Sequence, residues 1–246
     1  WLNVPLDVQE APVEPKRTSE RQIKQVTLYD NQSQLAEIKQ LIGSAKRPLI
    51  LAGHGVRLSG AAKVFSQMVE ALQIPVVTTW NSMDLLPFDH PLYVGKPGSV
   101  ALRAANFAVQ NCDLLISIGA RLDNVITAHN PQGFAQHAKK IVVDIDEYEM
   151  AKHQMPIDVP VIADAKAFIN AVLDNCQQSR PVTTQDWQQQ CQQWKQNYPI
   201  CDGQAFPETG EISHYHFVEK LSNHVAEGEL IITGSSGMAV EGFYLG

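Results

Sequence analysis

The stretch DLLISIGARLDN, residues 113–124, decides how this sequence is read. From Leu114 to Ile118 it is apolar apart from Ser117, and it then breaks at Gly119, Arg121 and Asp123. A short apolar run without polar alternation reads as a strand covered on both faces. In an open parallel sheet such a strand carries the residues that follow it to the rim where ligands bind.

Working outward from that run, the same unit recurs. Upstream, PLILAG (48–53) reads as a strand, 59–73 as a helix and PVVTTW (75–80) as a second strand. Val94-Gly95-Lys96-Pro97-Gly98 reads as a loop leading into a helix over 99–111, which carries Leu102, Ala105 and Val109. Downstream come the strands KIVVDID (140–146) and PVIA (160–163), then a helix over 165–177. Before the first strand, SQLAEIKQLIGSAKRP sets Leu35, Ile38, Leu41 and Ile42 at helical spacing, with Ser33 as N-cap and Pro48 ending the unit. Apolar strands alternating with amphipathic helices predict an α/β fold, a doubly wound parallel sheet of Rossmann-like type.

The flanks are different in character. Residues 9–32 are polar and carry two prolines, which reads as a linker after the strand-like WLNVPLDV. Beyond 178 a glutamine-rich stretch has Trp187, Cys191 and Trp194 at helical spacing, as in an amphipathic helix packed on a neighbour. A helix around His214, a strand ELIITG (229–234) and a small-residue loop then suggest the opening of another α/β unit. Starting at Trp1 and ending in VEGFYLG, the sequence reads as an internal piece of a longer polypeptide, with a processed mature protein as the alternative.

Composition narrows the function classes. With 44% hydrophobic and 18% charged residues among 246, the chain is built for a sizeable core rather than disorder. A net charge of -7 without a concentrated basic face argues against a nucleic-acid surface. The four cysteines show no Cys-x-x-Cys spacing and no adjacent histidine cluster, so they read as reduced thiols rather than zinc ligands. No run approaches the roughly 18 apolar residues of a membrane span and no leader pattern is visible, so the expectation is a cytoplasmic protein.

The chemistry-bearing residues gather at the predicted strand ends. These are Ala52-Gly53-His54-Gly55, Thr78-Thr79-Trp80-Asn81, Gly119-Ala120-Arg121-Leu122-Asp123 and Asp144-Ile145-Asp146. Arg121 is suited to bidentate pairing with a phosphate, and equally to a salt bridge with Asp123 or Asp146 that ties loops together. Asp144 or Asp146 has the position of an acid that accepts from a ribose hydroxyl. His54 reads as structural or solvent-facing, and the histidines at 214, 216 and 224 as surface or packing residues of one helix. No Gly-x-Gly-x-x-Gly fingerprint, P-loop or Gly-x-Ser-x-Gly elbow is present, so no self-contained catalytic set is expected.

In their order, WLNVPLDVQ, RPLILAGHGV, IPVVTTW, DHPLYVGKPG, CDLLISIGARLDN and KIVVDIDEYEM resemble thiamine-diphosphate enzymes of the acetolactate synthase type. The resemblance covers nearly the whole chain. It implies a DHS/FAD-binding-like middle domain at 33–178, the end of a pyrimidine-binding domain and a linker at 1–32, a linker helix at 179–210, and the start of a diphosphate-binding domain at 211–246. It further implies a homodimeric or homotetrameric enzyme that uses thiamine diphosphate and Mg2+ to decarboxylate a 2-keto acid such as pyruvate. The activating glutamate and the metal motif of the family lie outside this stretch, so the piece by itself is expected to be inactive. For FAD, held without redox use in the synthases, the matching positions are Gly53, Gly55, Thr79, Gly119, Ala120, Arg121, Asp123, Asp144, Ile145 and Asp164. For thiamine diphosphate they are Gly234, Ser235 and Ser236. Three departures bear on FAD: His54 replaces a family glycine, KPGSV replaces a Gly-Met-His-Gly type of loop, and Val125 stands where the synthases carry a second arginine. A free-standing FAD- or ADP-binding module and a purely structural module are the competing readings.

Overall fold

The computed structural model describes residues 3–12, 29–176, 185–226, 228–232, 234 and 236–245. In chain order the elements are α1 (Leu6–Gln9), α2 (Gln32–Ser44), β1 (Pro48–Ala52), α3 (His54–Leu58), α4 (Ala62–Leu72), β2 (Val76–Thr78), β3 (Tyr93–Gly95), α5 (Arg103–Asn111), β4 (Leu114–Ile118), β5 (Lys139–Asp144), α6 (Glu147–Ala151), β6 (Val159–Ile162), α7 (Ala165–Cys176), α8 (Gln185–Asn197), α9 (His214–Ser222) and α10 (Gly237–Leu245). Short 3-10 turns lie at Trp80–Leu85, Pro131–Gly133 and Ile200–Gly203.

The strands form one six-stranded sheet in the order β3-β2-β1-β4-β5-β6, parallel at every pairing. The chain thus winds outward in one direction, returns to the centre and winds out in the other, which puts the topological switch between β1 and β4. Both faces are covered, and every residue of β1, β2 and β4 is buried. On one face Ile38, Ile42, Phe65, Met68, Phe168 and Ile169 from α2, α4 and α7 pack on Ile50, Ile116 and Ile141. On the other, Ala104, Ala105 and Ala108 of α5 let that helix lie close to Leu49, Leu51 and Leu115, and α8 adds Trp187 and Cys191.

Several boundaries differ from the sequence reading, each for a local reason. Strand β3 overlaps the start of the expected loop; its three residues are too few to leave a periodic signal. The helix expected over 59–73 begins only at Ala62, and a short helix not expected, His54–Leu58, precedes it; Gly60, whose φ of 67° cannot continue an α-helix, separates the two. The helix expected from 99 begins at Arg103, because Ser99 donates its amide to the Val125 carbonyl 3.0 Å away. Helix α2 is capped by Asn31, whose side chain accepts from the Gln34 amide at 3.2 Å, and Ser33 lies inside the helix.

Two expected strands are not formed. Leu6–Gln9 is a short exposed helix entered through Pro5 rather than a closing strand. Residues 229–232 are not in strand conformation, and Leu230 and Ile232 are 85% and 86% exposed. A strand is stable only with a hydrogen-bonded neighbour, and among the described residues neither segment has one. Most of the expected linker at 9–32 lies outside the described residues.

Candidate functional site

The carboxyl rim of the sheet is the candidate site, and its centre is the switch between β1 and β4. The Gly53 amide donates to the Ile118 carbonyl at 2.9 Å and the Gly55 amide to the Gly119 carbonyl at 3.0 Å. A Cβ on Gly53 would lie 2.2 Å from the Ala120 Cα, and one on Gly55 2.7 Å from the Gly119 Cα. Gly119 itself has φ 58° and meets Gly55 in return. These glycines and Ala120, which is buried, are brought together, and what they approach is each other's backbone.

Past Gly119 the chain makes a strained turn. Arg121 and Leu122 both sit at positive φ, 58° and 51°, a region that costs a non-glycine residue about 1 kcal/mol or more. Leu122 is held there by burial, and Asp123 by an Asx turn in which its Oδ1 accepts from the amides of Val125 and Ile126 at 2.9 and 3.1 Å. The Arg121 side chain is 65% exposed and donates from Nε to Glu149 Oε2 at 3.2 Å. Glu149 also pairs with Lys152, one turn along. Lys152 first, and Arg121 with it, hold the Glu149 carboxyl below the usual carboxylate range against the opposing effect of burial. Arg121 therefore ties the β4 loop to α6 through Glu149, not through Asp123 or Asp146.

The remaining rim acids cap turns. Asp144 Oδ1 accepts from the Asp146 amide at 2.9 Å, and Asp146 Oδ1 from the Tyr148 amide at 2.8 Å. Asp164 Oδ1 accepts from the amides of Lys166 and Ala167 at 2.9 and 3.1 Å, opening α7. Ile145 is exposed between Asp144 and Asp146.

Beyond β2 and β3 lies a polar set that the sequence reading only partly anticipated. The Thr79 amide donates to the Ala52 carbonyl at 2.9 Å, and the Ser82 hydroxyl donates to the same oxygen at 2.9 Å while lying 2.8 Å from the Thr79 hydroxyl. Thr78 and Tyr93 share a buried hydrogen bond of 3.1 Å, and burial pushes the Tyr93 phenol up to about 12. Lys96 is only 5% exposed, and burial lowers its ammonium to about 8. The one signal for Lys96 was its place between Gly95 and Gly98, which is weak; Ser82 and Tyr93 gave none. Asn106 of α5 closes this loop, accepting from the Gly98 amide and donating to the Gly98 carbonyl. His54 bonds the Asn81 carbonyl at 2.8 Å, which is a structural role.

The carboxyl-terminal helices roof this rim. Trp80, Val100, Leu102 and Val125 form an apolar cluster with Val218 of α9 and Val240 of α10. A cavity of about 490 Å3 lies to one side, bounded by Val94, Leu102, Lys195, Tyr198, Ile200 and Glu219. Gly234 and Ser236 are exposed; Ser236 starts α10 by accepting from the Ala239 amide on its carbonyl at 3.0 Å. Ser235 lies outside the described residues. Among the described residues no three His, Cys, Asp or Glu side chains converge as metal ligands. Cys112 and Cys191 are buried thiols that burial pushes up to about 12, the opposite of an activated nucleophile.

The comparisons agree with this architecture. The family described as "Thiamine pyrophosphate enzyme, central domain" matches residues 35–172, the span from α2 into α7. The chain is similar to a probable acetolactate synthase large subunit of Methanococcus aeolicus, 38% identical over 177 residues, which is 70% of this chain and 29% of that protein. A protein of the same description from Methanocaldococcus jannaschii is 40% identical over 140 residues, 57% of this chain and 23% of the relative. The Escherichia coli acetolactate synthase isozyme 2 large subunit is 34% identical over 173 residues, 68% and 30% of the two chains. The matched stretch thus spans less than a third of the length of each of these relatives.

Proposed function

The chain belongs to the thiamine pyrophosphate enzyme family through its central domain, and we propose that it is the middle portion of an acetolactate-synthase-like enzyme. In that reading the whole protein decarboxylates a pyruvate-like 2-keto acid and joins the product to an acceptor, as a homo-oligomer in the cytoplasm. Residues 1–32 end a pyrimidine-binding domain, 33–178 are the central domain, 179–210 a linker helix and 211–246 the start of a diphosphate-binding domain. The observation that carries the reading is the coincidence of the family match at 35–172 with a complete six-stranded parallel sheet.

Thiamine diphosphate would supply the electron sink for decarboxylation, and Mg2+ would offset the negative charge of the diphosphate. Gly234, Ser235 and Ser236 are the residues of this chain that suit the diphosphate, offering small side chains, amides and hydroxyls. They are only part of a site. Among the described residues no metal-ligand cluster is formed. What this chain contributes to the reaction is placement: a rigid sheet whose rim is roofed by the helices on either side of the diphosphate loop.

The test is turnover of pyruvate by the whole polypeptide with thiamine diphosphate and Mg2+, read as carbon dioxide release and carboligated product. Thiamine-dependent product is expected from the whole protein and none from the 246-residue chain alone. No thiamine-dependent turnover of any 2-keto acid by the whole protein would refute the reading. A spacer role for 33–178, rather than a catalytic one, is favoured by the turn-capping, loop-tying use of the rim acids and Arg121.

A further inference from the structure

FAD is the group that the rim's resemblance calls for, and the rim does not fit it. A pyrophosphate at a doubly wound switch needs glycines that leave open space and amides that are free to donate. Here the side of Gly53, Gly55 and Gly119 on which a Cβ would stand is filled by the opposite loop, with backbone atoms 2.2 to 2.7 Å from that position. The Gly55 amide is already bonded to the Gly119 carbonyl at 3.0 Å. The natural cation for a phosphate, Arg121, faces a carboxylate instead, and that carboxylate also takes Lys152. Where a second arginine would help, Val125 joins Trp80, Val100 and Val240 in the apolar roof.

We propose that this chain holds its dinucleotide berth shut and takes no FAD, with the Gly53–Gly55 and Gly119–Ala120 loops closed on each other and Glu149 as built-in counter-anion to Arg121 and Lys152. The backbone contact excludes the ligand sterically. Glu149 weakens the electrostatic attraction, because it engages both cations and lowers the charge that the outer rim offers to a phosphate. The inference deepens the functional reading above and does not depend on which 2-keto acid is used.

The experiment titrates the whole chain, and the whole polypeptide, with FAD by flavin fluorescence and with inorganic pyrophosphate by calorimetry at low salt. The parent is expected to retain no flavin on purification and to show no saturable FAD binding; one flavin per chain overturns the proposal. E149A is expected to gain pyrophosphate affinity about tenfold, since it frees two cations, and to gain none for FAD. An unchanged pyrophosphate affinity would overturn the role of Glu149, and FAD binding by E149A would overturn the backbone closure. A thermal melt of E149A verifies folding. Turnover is measured separately: flavin in an active synthase sinks this inference alone, whereas a flavin-free protein without thiamine-dependent turnover sinks only the functional reading.

Discussion

Gly53 and Gly43 are the same residue under opposite constraints, and that contrast is testable. At Gly53 an added methyl would sit 2.2 Å from the Ala120 Cα, a backbone atom that cannot move without the strand, whereas at Gly43 in α2 nothing lies within 4 Å. Gly53→Ala is therefore expected to lower stability by about 3 kcal/mol or more, and Gly43→Ala to raise it by about 0.5 kcal/mol through helix propensity, both read by denaturant unfolding. Lys96 gives a pH prediction. Burial lowers its ammonium from 10.5 to about 8, so the unfolded chain binds the extra proton between those values and stability rises with pH across the window. The buried Cys112 and Cys191 thiols work the other way above pH 9, so the effect is isolated by comparison with Lys96→Met. The parent is expected to gain on that variant by on the order of 3 kcal/mol between about pH 8 and pH 10.5, followed by thermal melts; parallel curves would show that Lys96 does not titrate there. Glycines at a strand end are legible in sequence as close approaches, but not what they approach, because that partner is 66 residues away in the case of Gly53 and Gly119.

Helix α8 shows how an element with low mean hydropathy holds its place. Its apolar stripe is narrow: Trp187 and Cys191 are buried, and Trp194 packs edge-on to Trp187 with ring centroids 5.7 Å apart. The rest of its grip is polar. Trp187 Nε1 donates to the Pro48 carbonyl at 2.9 Å, Gln188 to the Gln73 carbonyl at 2.6 Å and Gln192 to the Pro91 carbonyl at 2.7 Å, so the glutamines hook the loops that lead into β2 and β3. Trp187→Ala is expected to cost about 3–5 kcal/mol, whereas Gln189→Ala, on the exposed side, changes unfolding by less than about 0.5 kcal/mol. At this scale sequence periodicity was a good guide. The spacing of Trp187, Cys191 and Trp194 located the helix, and unbroken apolar runs located β1, β2, β4 and β5. It failed where an element is too short to leave a pattern, as at β3, and where strand-forming residues lack a neighbour, as at Leu230–Ile232. The rim was legible as a place but not as a circuit. Asp123, Asp144 and Asp164 look alike in sequence whether they face a ribose or the next amide, and Glu149 carries no motif at all.

Across the whole molecule, cohesion is distributed unevenly. The two large apolar clusters share β1, β4 and β5 between them, so these central strands are sealed from both sides. Among the described residues the third cluster has Val218 as its one buried member, with Trp80, Val100, Leu102, Val125, Ile200 and Val240 only partly covered, and this thin cluster joins α9 and α10 to the rim. Tyr215, Phe217 and Leu221 of α9 remain exposed. Buried apolar area sets the free energy needed to open a segment, so opening should occur in two stages. Native-state hydrogen exchange is expected to show the amides of Leu49–Ala52, Leu114–Ile118 and Ile141–Val143 exchanging only with global unfolding. Those of His214–Ser222 should exchange through a sub-global opening several kcal/mol lower, without loss of the sheet. The acid side follows from Glu149: its lowered carboxyl makes the tie between the β4 loop and α6 fully present above the ordinary carboxylate range and lost as pH falls through the lowered value. At that acid limit the amides of 121–127 and 147–152 should lose protection before the central strands do. Equal protection of α9 and β4, or loss of the strands before these loops, would mean that the roof and the rim are part of one cooperative core rather than fittings attached to it.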